Sequence, residues 1–406
     1  MSQPPVPGAP GPHAPQRRLP QWPIMRKKQT FVVPIIAIVV GALVMALFVV
    51  IAVVTTPGIG IVALILTSAS AIVGILLLTW LDRWEPEPPH LLIAAFFWGG
   101  GVSLVMVFLA SPVLALFGGD GLFFSAVISA PLVEESAKGL FLVLVLLTTR
   151  RGRSEFNSLT DALVYAGFVG IGFSFIEDLL YLAGESTLGA ALTLAGVRIG
   201  LGAWSHSIYV AMTAIGLWLG VSSRGAMRFV YPVLGWCVAV LLHAIHNGAA
   251  FLGAGAYFTS LAIFSLPAFL AFLFIAIRSH RREGEIVRSQ LPIMVHNGWV
   301  TPQEASWLSH LRSRRGALAH ARQLGRTERT RVAVFRDHAT ELAFVRHRLD
   351  RMGPPYSADL LAQHGNLVAL LQADKQWVAQ HLPRPAQNWL PIDPVPGQEY
   401  GVPPMR

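Results

Sequence analysis

Hydrophobic residues in this chain form eight long runs, separated by shorter and more polar stretches. Each run has about 20 residues or more, which is the length that an α-helix needs to cross the hydrocarbon core of a bilayer. The pattern therefore predicts an all-α protein, a polytopic transmembrane helix bundle of about eight spans. The predicted spans cover residues 31–54, 58–81, 91–117, 122–148, 159–183, 189–220, 229–252 and 257–278.

Two segments of different composition flank these spans. Residues 1–28 are rich in Pro, Gly and Gln and end in a basic stretch, so we expect a disordered N-terminal tail. Residues 279–406 are rich in Arg, His, Gln and Ala, and their hydrophobic residues return at helical spacing. We therefore expect a transmembrane domain over residues 29–278, followed by a small, basic, helical cytoplasmic region with a Pro-rich end.

Local signals predict helices inside this last region. The sequence Thr301-Pro302-Gln303-Glu304 fits a capping box with proline at the first helical position. Two further helices are predicted over residues 328–351 and 357–382. These helices are expected either to form a small domain or to lie along the membrane surface.

The composition of the chain is that of a membrane protein. Hydrophobic residues make up 53% of the sequence and charged residues 13%, and the mean hydropathy is +0.55. These values are not typical of a soluble enzyme. The single cysteine, Cys237, excludes an intramolecular disulfide and any zinc site built from cysteines.

Basic residues alternate between the two sides of the predicted bundle. They precede the first span and follow the second, fourth, sixth and eighth, whereas the other loops contain no Lys or Arg. By the positive-inside rule, the protein is expected to be a multi-pass protein of the cell membrane with both termini cytoplasmic. The basic residues are Arg17, Arg18, Arg26, Lys27, Lys28, Arg83, Arg150, Arg151, Arg153, Arg224, Arg228, Arg278, Arg281 and Arg282.

The many Arg residues after residue 279 predict a solvated helical face first, and contact with anionic membrane lipids next. No sequence motif of a nucleic-acid-binding fold is present, and basicity alone does not predict nucleic-acid binding. We therefore expect membrane lipids, and no nucleic acid, as partners.

Several ionisable side chains lie inside the apolar runs. A charge in the middle of a bilayer costs at least about 2.5–3.5 kcal/mol, so these groups are expected to pair around a common site. On the fourth span, helical spacing brings Lys138 within reach of both Glu134 and Glu135. Arg198 is expected to pair with Glu177, because counting residues from the outer ends of their spans places both at nearly the same depth in the membrane. The candidate site residues are Glu134, Glu135, Lys138, Glu177, His206, His243 and Asn247.

This combination of side chains is suited to peptide-bond hydrolysis by two routes. A buried glutamate can take a proton from water while Asn and His hydrogen-bond the oxyanion. Alternatively, Glu177, His206 and His243 supply the three ligands of a catalytic divalent metal such as zinc. The residues alone do not choose between these routes.

Two other functions use the same residue types. Chains of Glu and His also form proton relays, so a proton- or cation-coupled transporter is the main alternative. Against it, no paired inverted repeat is apparent in the sequence. A scaffold or receptor that has lost catalysis is the third hypothesis.

The motifs Glu134-Glu135-x-x-Lys138, Phe173-x-x-x-Glu177, His206 and His243-x-x-x-Asn247 resemble those of the PrsW family of intramembrane proteases. The charged turn over residues 82–88 is also similar to that family. The wider superfamily includes the CAAX prenyl proteases, which have a histidine where this chain has Glu177.

The resemblance implies that residues 29–278 form a transmembrane protease domain. It implies cleavage of membrane-protein substrates, such as a single-pass regulatory protein, in regulated intramembrane proteolysis. It further implies that Glu134 and Glu135 activate water, that Glu177, His206 and His243 complete the site, and that Asn247 assists.

Overall fold

The computed structural model describes residues 32–118, 121–148, 156, 158–352, 356 and 358–381. The predicted N-terminal tail and the Pro-rich C-terminal end lie outside these residues. Every regular element in the described part of the chain is helical, which confirms the predicted fold class. The helices are α1 (Val32–Thr55), α2 (Pro57–Leu81), α3 (Pro89–Phe97), α4 (Ser103–Gly118), α5 (Ala130–Thr148), α6 (Leu159–Ala183), α7 (Leu188–Ala195), α8 (Ser205–Val221), α9 (Met227–Phe251), α10 (Ala254–Ser260), α11 (Leu266–His296), α12 (Pro302–Leu308), α13 (Leu311–Leu324), α14 (Arg326–Met352) and α15 (Ala358–His381).

Short π-helical turns interrupt four of the predicted spans within the described residues. They join α3 to α4, precede α5, join α7 to α8 and join α10 to α11. Because a π turn inserts one residue into a helix, it changes which side chains face a neighbouring helix. The four turns are Trp98–Val102, Phe124–Ser129, Gly196–Leu201 and Leu261–Ser265.

Seven helical segments of the described chain are long and apolar enough to cross a membrane, and they match seven of the eight predicted spans. The predicted span at residues 122–148 is also helical, as a π turn followed by α5. This span is not among the seven because the 19 residues of α5 include three charged ones, Glu134, Glu135 and Lys138. The segment of the bundle that is least compatible with lipid is thus the one that carries three charged side chains.

Helix α6 lies at the centre of the bundle. In its most apolar window 89% of the residues are buried, against 22% for α1. A Cβ atom added to Gly172 would lie 2.0 Å from the carbonyl oxygen of Phe96, and one added to Gly170 would lie 2.4 Å from the Cα of Ser207. These glycines therefore let α3 and α8 approach α6 closely, in the way that small residues pack membrane helices.

Helices α12–α15 share a second hydrophobic core with the end of α11 and with Trp84. Thr301 and Glu304 form the predicted capping box at the start of α12. The buried guanidinium of Arg314 on α13 donates from Nη1 to the backbone carbonyl of Trp84, at 3.1 Å, and its carbon lies 4.7 Å from the Trp84 ring centroid. The helices after the membrane part are thus anchored on the turn between α2 and α3.

Helix α11 extends further than the sequence pattern indicated. The predicted span ended at residue 278, but the helix continues without interruption to His296 and has 31 residues. Its second half carries Val287, Leu291 and Met294 into the core of α12–α15. The predicted boundary at residue 279 therefore falls inside a continuous helix.

Candidate active site

Lys138 lies at the centre of the candidate site. Its side chain is fully buried, as is that of Glu135 one turn earlier on α5, while Glu134 is buried but for a small exposed fraction. Lys138 Nζ donates to Glu134 Oε2 at 3.1 Å and to Glu135 Oε1 at 2.9 Å. The ammonium also lies 3.5 Å from the centroid of the Phe173 ring on α6, a cation–π distance. The helical spacing thus produces the expected ion pairs.

Helices α8 and α9 each add a histidine to this group. Lys138 Nζ lies 2.9 Å from His206 Nδ1, and His243 Nδ1 lies 2.9 Å from Glu135 Oε1. His243 Nε2 is 3.9 Å from Glu134 Oε2. The two imidazole rings meet edge to face, with centroids 5.2 Å apart. Residues from α5, α8 and α9 therefore meet around one ammonium group: Glu134, Glu135 and His206 contact it, and His243 contacts the glutamates.

The hydrogen bonds assign a tautomer to each histidine. An ammonium group can only donate, so His206 Nδ1 must accept from Lys138, and its Nε2–H donates to Glu177 Oε2 at 2.7 Å. A carboxylate can only accept, so His243 donates its Nδ1–H to Glu135. In the neutral ring, the lone pair on His243 Nε2 is then left available on the side of Glu134.

The Glu177 oxygen that accepts from His206 also accepts from Arg198. Arg198 Nη2 donates to Glu177 Oε2 at 2.7 Å, and Arg198 Nε donates to Asp178 Oδ1 at 2.6 Å. Its guanidinium also lies over the ring of Tyr181, 4.0 Å from the centroid. The pairing of Arg198 with Glu177 is the one that the sequence predicted. The contact with Asp178 was not predicted.

Asn247 occupies a different position from the one that its predicted role suggested. Its amide nitrogen donates to the backbone carbonyl of Ala126, at 2.9 Å, in the π turn before α5. The amide therefore ties α9 to the start of α5. Among the described residues, no hydrogen bond joins Asn247 directly to the carboxylates or the imidazoles.

Tyr209 is a member of the site that the sequence reasoning missed. Its ring stacks on His243, with centroids 4.9 Å apart and an interplanar angle of 19°, and it meets the edge of His206 at 5.8 Å. One signal was present in the sequence. Tyr209 follows His206 by three residues, which places both side chains on the same face of α8.

The donor set is suitable for a divalent metal. Glu134, Glu135, His206 and His243 each offer one ligand atom, and these atoms all lie within 4.8 Å of one another. Carboxylate and imidazole groups are typical zinc ligands, and a ligating histidine commonly donates its second N–H to a carboxylate, as His243 does. Glu135 Oε2 is buried without a hydrogen-bond partner among the described residues.

This group differs from the predicted metal set of Glu177, His206 and His243. Glu177 is not part of the close group, and its Oε2 accepts from Arg198 and His206 instead. Buried carboxylates and imidazoles enclosed by helices of membrane-spanning length, which proton relays also use, are the groups that a membrane-embedded hydrolase needs.

Comparison with known proteins agrees with this class. Residues 87–277 match the sequence model of the family described as PrsW family intramembrane metalloprotease. The chain is 28% identical to the protease PrsW of Bacillus subtilis over 185 residues, which are 44% of this chain and 80% of that protein. It is 26% identical to the protease PrsW of Oceanobacillus iheyensis over 200 residues, or 49% of this chain and 86% of that one. No solved structure matches.

Residues 87–277, just under half of the chain, are thus similar to the PrsW family, and this match together with the PrsW relatives indicates an intramembrane peptidase. These findings give no support to the transporter. The region after residue 277 lies outside the family match.

Proposed function

We propose that this protein hydrolyses peptide bonds of membrane-protein substrates at the cluster of carboxylates and imidazoles between α5, α6, α8 and α9. The observation that carries the proposal is the buried group of Glu134, Glu135, His206 and His243, whose ligand atoms lie within 4.8 Å of one another. A buried cluster of this kind is costly to maintain in a membrane and is a strong indication of function.

Glu134 is the group best placed to activate water. Its side chain is 9% exposed, whereas that of Glu135 is fully enclosed between Lys138 and His243. Glu134 takes a proton from water as the water oxygen attacks the scissile carbonyl, whose electrons move onto its oxygen. Glu134 then passes that proton to the amide nitrogen as the carbon–nitrogen bond breaks.

The other residues hold the carboxylates and imidazoles of the cluster in fixed positions. Lys138 bridges the two adjacent carboxylates and compensates one of their two charges, and Glu135 orients the His243 ring through Nδ1. Arg198 fixes Glu177, which in turn fixes His206. Such preorganised donors lower the barrier because they need not reorganise while charge develops on the substrate.

A divalent metal, if bound, would be held by Glu134, Glu135, His206 and His243. It would supply Lewis-acid chemistry, polarising the carbonyl and making water more acidic. We further propose that Glu177 does not ligate directly but orients His206, because its contacts go to Arg198 and His206.

The substrate class that we propose is a single-pass regulatory protein whose transmembrane segment enters the bundle. The basic residues after the second, fourth, sixth and eighth spans favour a multi-pass protein of the cell membrane with both termini cytoplasmic. In this orientation α12–α15 lie on the cytoplasmic side, in contact with the turn that follows α2.

The test is cleavage of a single-pass substrate by the purified protein in proteoliposomes. We expect Glu134→Gln to lower the cleavage rate by about 10²–10⁴-fold, because removing a general base costs that much. Glu185→Gln, in the loop after α6, is the matched control and should cleave at the normal rate. Undiminished cleavage by Glu134→Gln would refute the assignment, and substrate-driven ion flux without cleavage would restore the transporter.

A further inference from the structure

Lys138 has a complete set of hydrogen-bond partners. An ammonium group has three N–H donors, and those of Lys138 meet Glu134 Oε2, Glu135 Oε1 and His206 Nδ1 at 3.1, 2.9 and 2.9 Å. The side chain has no solvent-accessible surface. The charge of the lysine is thus compensated entirely by the site.

Each of these three partners is also one of the four candidate metal ligands. The lone pair of His206 Nδ1 cannot accept from Lys138 and bind a metal at the same time. The second nitrogen of that ring is committed to Glu177. For His206, occupancy by the ammonium and occupancy by a metal are mutually exclusive while these bonds persist.

Electrostatic repulsion also opposes simultaneous occupancy of the site by the Lys138 ammonium and a metal. Two unit charges about 4 Å apart already interact by about 4 kcal/mol at the effective dielectric of a protein surface, and more in a dry interior. A divalent cation bound to Glu134 and His243 would lie beside the Lys138 ammonium. The two cations would then repel each other beside the described carboxylates that act on Lys138, which are Glu134, Glu135 and Glu177.

We propose that the Lys138 ammonium and a divalent metal are alternative occupants of this site. The inference rests on the proposed function and adds a role for Lys138. The lysine keeps the carboxylates and His206 in place before the metal binds, and the metal must displace its N–H groups from His206. Lys138 is thus a positioning residue. It holds the side chains of the site in place without a metal, and it lowers the affinity of the site for a metal.

The experiment measures zinc binding by the purified full-length protein in detergent, by competition with a chromophoric chelator. We expect Lys138→Met to bind zinc about tenfold more tightly or better, because the competing cation is gone. Lys138→Arg, which keeps the charge, should not gain affinity. Ser136→Ala, an exposed residue on the same helix, is the control. His243→Ala should lose the tight site and so identifies it.

The inference is wrong if Lys138→Met binds zinc equally or more weakly than the normal protein, or if neither protein binds zinc. Because cleavage is measured separately, either result can occur while Glu134→Gln still abolishes proteolysis, and the proposed function would then stand. Should Lys138→Met fail to fold, a zinc-soaked crystal structure of the unmodified protein tests the inference instead. Lys138 Nζ must then have left hydrogen-bonding distance of His206 Nδ1; an unmoved lysine beside bound zinc overturns the inference.

Discussion

Arg198 bridges two adjacent carboxylates of α6 and thereby fixes one of the histidines of the site. Its Nη2 and Nε bind Glu177 and Asp178, and Glu177 accepts from His206. The planar guanidinium can make both contacts at once, which a lysine ammonium on a flexible stem does less well. In the proposed hydrolysis, Arg198 would therefore act through Glu177.

Replacement of Arg198 by Met is expected to lower both stability and activity. It leaves two carboxylates in a largely buried place without a counter-charge, which costs about 3–5 kcal/mol for a fully buried pair and less here, because the Arg198 side chain is 21% exposed. Thermal unfolding in detergent measures the loss. Arg198→Lys should recover part of it, and the double variant Asp178→Asn, Arg198→Met should be more stable than Arg198→Met alone. Equal stability of these two variants would contradict the bridging role.

The π turn before α5 ties the helix that carries the charged groups to a neighbouring helix. Phe124–Ser129 immediately precedes the helix that carries Glu134, Glu135 and Lys138. Asn247 on α9 hydrogen-bonds this turn at Ala126. The start of α5 is thus fixed to the helix that supplies His243, so the two sides of the site share one anchor.

Asn247→Ala is expected to reduce cleavage by weakening this anchor. The lost hydrogen bond is worth about 1 kcal/mol of stability, while the rate should fall further, since small displacements of catalytic groups are costly. Kinetics of cleavage and thermal unfolding, measured together, check this. Asn247→Asp keeps an oxygen but removes the N–H donor, and it should behave like Asn247→Ala. A fully active Asn247→Asp would place the role of this residue elsewhere.

The sequence predicted the features that depend on local spacing along the chain. It did not predict the features that depend on tertiary contacts. The spans and the contacts of Lys138 with Glu134 and Glu135 follow from helical periodicity. The π turns do not, because an inserted residue leaves the apolar composition of a span unchanged. The contact of Asn247 with Ala126, the stacking of Tyr209 on His243 and the position of Asp178 depend on how helices pack, which no single-sequence pattern records.

At the scale of the whole molecule, a juxtamembrane turn of residues 82–88 joins the membrane bundle to the helices that follow it. Trp84 packs into the core of α12–α15. Asp82 Oδ2 accepts from the backbone N–H of Glu87, at 2.8 Å, and Glu87 Oε2 accepts from the hydroxyl of Tyr165 on α6, at 2.5 Å. The turn thus connects α13 to the central helix of the bundle.

Asp82 in this turn is expected to make stability depend on pH. Burial raises the pKa of the Asp82 carboxyl from 3.8 to about 8, and the backbone hydrogen bond from Glu87 only partly offsets this. Between these two values the folded protein holds a proton that the unfolded chain releases. Stability therefore falls as the pH rises from about 4 to about 8 and changes little above it, as far as this group is concerned.

Asp82→Asn removes this titration and keeps an oxygen that can accept from Glu87. We expect the variant to be more stable than the normal protein at about pH 8 and to show a flatter dependence below it. Thermal unfolding in detergent at several pH values measures both effects. Asp359→Asn, an exposed residue at the start of α15, is the control. An unchanged slope in Asp82→Asn would show that other groups set the dependence.

The uninterrupted course of α11 has a mechanical consequence. At 1.5 Å per residue its 31 residues form a rod about 46 Å long. Near its middle, Ser279 hydrogen-bonds Thr160 at 2.8 Å, and Glu283 Oε1 accepts from Ser158 at 2.9 Å, so the rod is pinned to the start of α6. A displacement of α12–α15 would therefore be transmitted along α11 to the start of α6, the helix that carries Glu177.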